Sequence, residues 1–207
     1  MMIANLRTPR SPMISFLRMI LRDERGTTVM EFGLMVTVFM TLLLGLFDLG
    51  QLAYTNAILR GAAQDAARSA SLETADTAAA DAAVTDIVRT VAPDATVTSS
   101  RVSYFDFEDI ERPEAWDDAD NSGLCDDGEA YSDENANGRW DQDIGVSGNG
   151  GAGDVVIYTV TVTYSPLFPN PFMPGGTTAR QVSASAVKKN QPFADQANYG
   201  SEAGTCD

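Results

Sequence analysis

The residues that could do chemistry are concentrated between Asp106 and Asp143, where fifteen Asp and Glu face only Arg112 and Arg139. Like charge at that density repels itself unless a cation compensates. Within it, DENANGRWDQD sets Asp133, Asn135 and Asn137 at alternate positions ahead of Gly138, with Arg139, Asp141 and Asp143 following. The spacing matches the first half of an EF-hand-type calcium loop: alternate oxygens converge on the ion, the seventh residue offers its carbonyl, and the glycine turns the chain. Asp141 takes the ninth position, but Ile144 stands where the closing Glu belongs. Asp143, or a remote carboxylate such as Asp126, Asp127 or Glu129, must then complete the shell. The expectation is a Ca²⁺ ion that orders this stretch; the plainer alternative is a solvated acidic turn.

Other chemistries are excluded by composition. The chain has no histidine, so no Ser–His–Asp or Cys–His nucleophile and no His-containing zinc site can be built. GVSGN is not the G-x-S-x-G nucleophile elbow, and the acidic stretch lacks the apolar surroundings that raise a catalytic carboxyl pKa. No enzyme is expected. Cys125 and Cys206 are the two cysteines, without CxxC spacing. They read as a disulfide in an oxidising compartment, or else as two free thiols. The formal charge of −15, with a basic excess only in residues 1–26, disfavours nucleic acid as a partner.

One further ionisable residue demands an explanation. Glu31 lies at the edge of the uncharged run Phe32–Phe47, FGLMVTVFMTLLLGLF, which extends through 27–54 to a helix able to cross a roughly 30 Å hydrocarbon core. A carboxylate at the centre of such a helix costs about 2.5–3.5 kcal/mol. Were the chain cut after Gly26, Thr27 would present a new amino group, and Glu31 of a neighbouring subunit could neutralise it. Arg7, Arg10, Arg18, Arg22 and Arg25 precede the run and hold the N-terminus in the cytoplasm. Without an A-x-A site after the apolar run, a signal anchor fits better than a cleaved secretory signal. Beyond Leu52 the small-residue face Ile58, Leu59, Ala62, Ala63, Ala66, Ala67 and Ala70 carries the helix to about Ser71.

Arg25-Gly26, the segment Thr27 to Glu31-Phe32 and the apolar helix behind it are similar to the processing site of type IV prepilins. The longer run GTTVMEFGLMVTVFMTLLLGLFDLGQLAYTNAILRGAAQDAARSAS, with its Gly45-Leu46-Phe47-Asp48-Leu49-Gly50 block and Tyr54, resembles the TadE-like family, minor pilins or pseudopilins of the tight-adherence (Flp) pilus. The resemblance implies cleavage between Gly26 and Thr27 by a prepilin peptidase, with Glu31 and Phe32 in subunit docking. Its implied partners are other pilins or pseudopilins, the Tad secretion machinery and the membrane. It implies a single-pass protein of the inner cell membrane, with a cytoplasmic N-terminus and an extracytoplasmic domain, able to enter a pilus for surface attachment. Thr27 departs from the aromatic or Met found there in many type IV pilins.

The elements that would carry these residues form an α+β architecture. The expected organisation is a leader at 1–26, a transmembrane and extended helix at 27–72, an outer domain at 73–190 with an acidic insertion at 108–153, and a tail at 191–207. A second helix is expected over Thr74–Val91, capped by Thr74 or Asp76, with Val84, Ile87, Val88 and Val91 on one face before Pro93. Strands are expected at Thr96–Phe107, Val155–Tyr164 and Arg180–Val187, forming a small antiparallel sheet of about three strands packed on that helix. The alternation of Val156, Tyr158, Val160, Val162 and Tyr164 against threonines is the clearest strand pattern. Pro166, Pro169, Pro171 and Pro174 mark a long loop, and the polar tail should be irregular unless Cys206 ties it down. The competing function is an unprocessed single-pass anchor that displays a calcium-dependent binding domain.

Overall fold

A computed structural model describes residues 26–72, 76–126, 128–171, 175–192 and 201–206. The leader up to Arg25, Thr74, Asp127, Pro174 and residues 193–200 and 207 of the tail lie outside the described residues. Helix α1 spans Thr27–Ala70 as 44 unbroken residues, about 66 Å at 1.5 Å per residue. Its two halves live in different surroundings. Val29, Met30, Phe32, Leu34, Met35, Val38 and Phe39 are all exposed. From Gln51 onward, Gln51, Thr55, Leu59, Ala62, Ala63, Ala66, Ala67 and Ala70 are buried. That three-and-four spacing is one helix face, and its alanines let the helix lie close on its neighbours.

Helix α2, Thr77–Arg89, begins where the Asp76 side chain accepts from the Ala79 N–H at 2.9 Å. Ala80, Val84 and Val88 turn inward, while Ile87 is exposed. The expected four-residue stripe is therefore narrower than its composition suggested.

The strands are β1 (Thr96–Tyr104), β2 (Ala130–Asp133), β3 (Val146–Ser147), β4 (Val155–Tyr164), β5 (Arg180–Lys189) and β6 (Glu202–Thr205). The main sheet has the order β3-β1-β4-β5, antiparallel throughout. It thus has four strands rather than three, because the short β3 adds to the β1 edge. β1 stops at Tyr104 instead of Phe107: Asp106 bonds the N–H of Phe107 and caps a 3₁₀ turn over Phe107–Asp109. In β4, Val156, Tyr158, Val160, Val162 and Tyr164 are buried. They form the core with Leu59 and the alanines of α1, Val84 and Val88 of α2, and Val182, Ala184 and Ala186 of β5. On the opposite face, Thr159–Ser185 and Thr161–Ser183 hydroxyl pairs tie β4 to β5.

A second, two-stranded sheet pairs β2 with β6. Residues 202–206, expected to be irregular unless Cys206 ties them down, are thereby built into the acidic connection between β1 and β4. The disulfide Cys125–Cys206, with a Cα separation of 5.7 Å, fastens them there.

Candidate functional site

The N-terminal candidates sit at the free end of α1. Gly26 precedes the helix, with no side-chain cap, and Gly26, Thr27, Glu31 and Phe32 are all exposed. Thr27 and Glu31 are four residues apart and so share a face. Among the described residues, α1 is the one helix long and apolar enough to cross a membrane.

The lower edge of the folded domain grips this helix at defined points. Asn170, 1% exposed, donates from Nδ2 to the Thr41 carbonyl at 2.9 Å. Phe168 packs on Phe47 with ring centroids 5.2 Å apart. Arg180, at the start of β5, pairs with Asp48 at 2.5 Å, and Gln51 Oε1 accepts from the Leu167 N–H. Asp48, the charge at the far end of the apolar run, is thus neutralised from within the chain. The stretch of α1 before Gln51 carries the exposed apolar surface, Leu42, Leu46 and Leu49 included. Leu167 and Phe168, both exposed, extend that surface onto the domain.

The acidic connection is organised around buried carboxylates. In the loop read as calcium-like, Asp133 Oδ1 accepts from the Asn137 N–H and Oδ2 from the Gly138 N–H. Asn135 Oδ1 accepts from the Asn137 N–H, and Asn137 Oδ1 from the Arg139 N–H. Asp141 Oδ2 accepts from the side-chain amides of Asn135 and Asn137. Gly138 has φ +79°, a left-handed conformation that favours glycine. Asp133, Asn135, Asn137 and Asp141 are therefore brought together, with Arg139 following on the loop. Asp143 is not: its carboxylate accepts from Tyr104 Oη at 3.0 Å and from the Gly145 N–H. Burial, and then the bond to Asp143, pushes the Tyr104 hydroxyl up to about 12.

A remote carboxylate that reaches this loop is Glu114, whereas Glu129 accepts from the Ala119 and Asp126 N–H groups. Glu114 is 0% exposed. Oε1 accepts from the Glu134 and Asn135 N–H groups, and Oε2 from the Asp141 N–H. Burial raises its pKa, against the backbone donors that lower it, and Asp133 nearby adds to the rise. The same residue's backbone carbonyl accepts from Trp140 Nε1, and Trp140 stands edge-on to Trp116 at 5.1 Å. Arg112 holds Asp109 and Glu134 at 2.9 and 2.7 Å. Nothing in the sequence around Glu114 marks it, because its donors come from residues twenty and more positions away.

A second group of carboxylates lies just upstream. One oxygen each from Asp118, Asp120 and Glu129 falls within 4.8 Å of the others. The sequence signal was available: Asp118, Asp120 and Ser122 stand ahead of Gly123 as Asp133, Asn135 and Asn137 stand ahead of Gly138.

Residues 26–68 match the family model described as TadE-like protein. No curated protein and no solved structure matches the chain. The match opens on Gly26, runs through Glu31 and the unpartnered apolar half of α1, and ends in the alanine face that seats the helix on the sheet. Over residues 26–68 the chain is similar to the TadE-like family, a likeness that points in general terms to the Tad pilus.

Proposed function

We propose that the protein is a minor pilin or pseudopilin, held in the membrane by α1, cut after Gly26 by a prepilin peptidase, and delivered with its acidic domain into or onto a Tad pilus. The observation that carries this reading is the contrast along one helix: the TadE-like segment leaves its first half bare and apolar while its second half is a buried alanine face. A bare apolar half is what a lipid bilayer or a bundle of like helices would cover. With residues 1–26 removed, the Thr27 amino group would meet Glu31 of an adjacent subunit. The leader arginines would keep the N-terminus cytoplasmic, with the domain outside. Intact mass and N-terminal sequencing of the chain from its native membranes test the processing step. A chain starting at Thr27 is expected; one retaining residues 1–26 would leave the unprocessed, signal-anchored display protein as the better reading.

Calcium at Asp133, Asn135, Asn137, the Arg139 carbonyl and Asp141 is the second part of the proposal. Support comes from Glu114, a fully buried carboxylate that bonds the same loop and could supply the charge missing at Ile144. Calcium would order residues 108–150. Limited proteolysis of the full chain should then spare this region in millimolar calcium and cut it in chelator. Equal digestion under both conditions would refute it.

A further inference from the structure

We propose that Asp118–Glu129 is a second, complete calcium-binding loop. The inference is independent of the pilus reading and deepens the calcium reading of the neighbouring loop. The carrying observation is the spacing D-A-D-N-S-G-L-C-D-D-G-E. Counted from Asp118, it fills every ligand position of the twelve-residue EF-hand loop: Asp118 at one, Asp120 at three, Ser122 at five, the Leu124 carbonyl at seven, Asp126 at nine and Glu129 at twelve, with Gly123 at the sixth-position turn. An excess of acidic residues alone would not reproduce that order. Position six needs a residue tolerant of left-handed backbone, and Gly123 has φ +79°.

The folded geometry agrees with that spacing. Calcium binds oxygens at roughly 2.3–2.6 Å, so oxygens on opposite sides of one ion lie up to about 5 Å apart. The carboxylates of Asp118, Asp120 and Glu129 meet within 4.8 Å. Glu129 is only 9% exposed, and none of the five ion pairs among the described residues involves any of these three. The loop carries five acidic residues and no Lys or Arg, so a divalent cation is the charge it lacks.

Both loops share one scaffold. Position one accepts from the N–H groups of positions five and six: Asp118 from Ser122 and Gly123, as Asp133 does from Asn137 and Gly138. Position four is left-handed in each, at Asn121 (φ 61°) and Ala136 (φ 57°). Glu129 accepts from the N–H groups of positions two and nine, Ala119 and Asp126. Glu114 accepts from the same two positions of the second loop, Glu134 and Asp141. The first loop thus closes with its own glutamate, and the second borrows one. The tail fixes the closing residue, because the Cys206 N–H donates to the Glu129 carbonyl and the Gly128 N–H to the Cys206 carbonyl.

The test is calorimetric titration of the full chain in detergent micelles with calcium chloride to about 5 mM, which spans the roughly 10⁻⁴–10⁻³ M range of weak loops. The native chain, Glu129→Gln, Asp118→Asn and Asp133→Asn are compared. Near-ultraviolet circular dichroism in chelator verifies that Trp116 and Trp140 keep their packing in each variant. The expected result is two bound equivalents in the native chain and the loss of one in Glu129→Gln and in Asp118→Asn. If only Asp133→Asn removes calcium, the loop proposed here is overturned while its neighbour stands. If only Glu129→Gln and Asp118→Asn do so, this loop stands and the neighbour falls. No bound calcium in the native chain overturns both.

Discussion

Glu31→Ala is expected to leave the protein in the membrane at normal level and to remove it from the pilus. The substitution deletes a carboxylate from the exposed, apolar half of α1, where the chain itself offers no cover. Burying that carboxylate in a bilayer costs up to about 2.5–3.5 kcal/mol, so the alanine variant should insert more readily than the native chain. A defect in assembly would then trace to a lost contact between subunits. In our reading that contact is the ion pair with a neighbour's Thr27 amino group, made where little water screens it. Glu31→Gln should behave like alanine, since it keeps the shape and loses the charge, whereas Glu31→Asp should retain part of the function. The measurement is the amount of this protein in sheared pili relative to membranes. Undiminished incorporation of Glu31→Ala would refute the role.

The second large effect is expected at Asp81, within the folded domain. Its carboxylate accepts two bonds from Arg101, at 2.9 and 2.7 Å, and one from Tyr158 Oη at 2.6 Å. Arg101 is 10% exposed at its side chain and lies over the Tyr158 ring at 4.3 Å. Asp81→Ala strands a nearly buried guanidinium and a buried hydroxyl. Removing one partner of a buried pair costs about 3–5 kcal/mol; with Asp81 itself 31% exposed, we expect about 2–3 kcal/mol. Chemical denaturation of the full chain in micelles, followed by circular dichroism, measures it. Asp81→Ala/Arg101→Met should recover most of the loss, because the double change leaves no charge behind. A loss below about 0.5 kcal/mol would assign the pair the weight of a surface contact.

The pH dependence gives a second readout of the same group. Burial opposes ionisation of Asp81, but the bonds from Arg101 and Tyr158 outweigh it and hold the carboxyl below its ordinary 3.8. A depressed carboxyl stabilises the fold above its unfolded pKa and loses that contribution as pH falls through the folded value. The native chain should therefore weaken below about pH 4 more steeply than Asp81→Ala. Burial, with the bond to Asp81 next, displaces Tyr158 in the opposite direction, upward.

Much of the fold was legible because its signals are periodic and local. The unbroken apolar run and the alanine spacing after Leu52 specify α1, and the alternation from Val156 to Tyr164 specifies β4. The pattern could not show that Ile87 faces water, or that β1 ends at Tyr104, because the first depends on which face meets the sheet and the second on a cap formed by Asp106. Two-residue β3 and four-residue β6 are too short for any period to reveal; each exists because a partner strand supplies its hydrogen bonds.

The candidate sites divide along the same line. Residue order alone determined the TadE-like segment with Gly26 and Glu31, and the alternate oxygens and glycine at Asp133–Asp141, since each is a spacing along one stretch of chain. Tertiary structure alone decided that Asp143 turns to Tyr104, that Glu114 closes on the loop from outside, that Asp48 meets Arg180, and that Cys206 brings the tail to Glu129. These are pairings between residues far apart in sequence. A carboxylate is indifferent to which cation or N–H it meets, so only tertiary packing selects the partner: α1 on the sheet, the tail on β2, β3 on β1, and the acidic connection on itself.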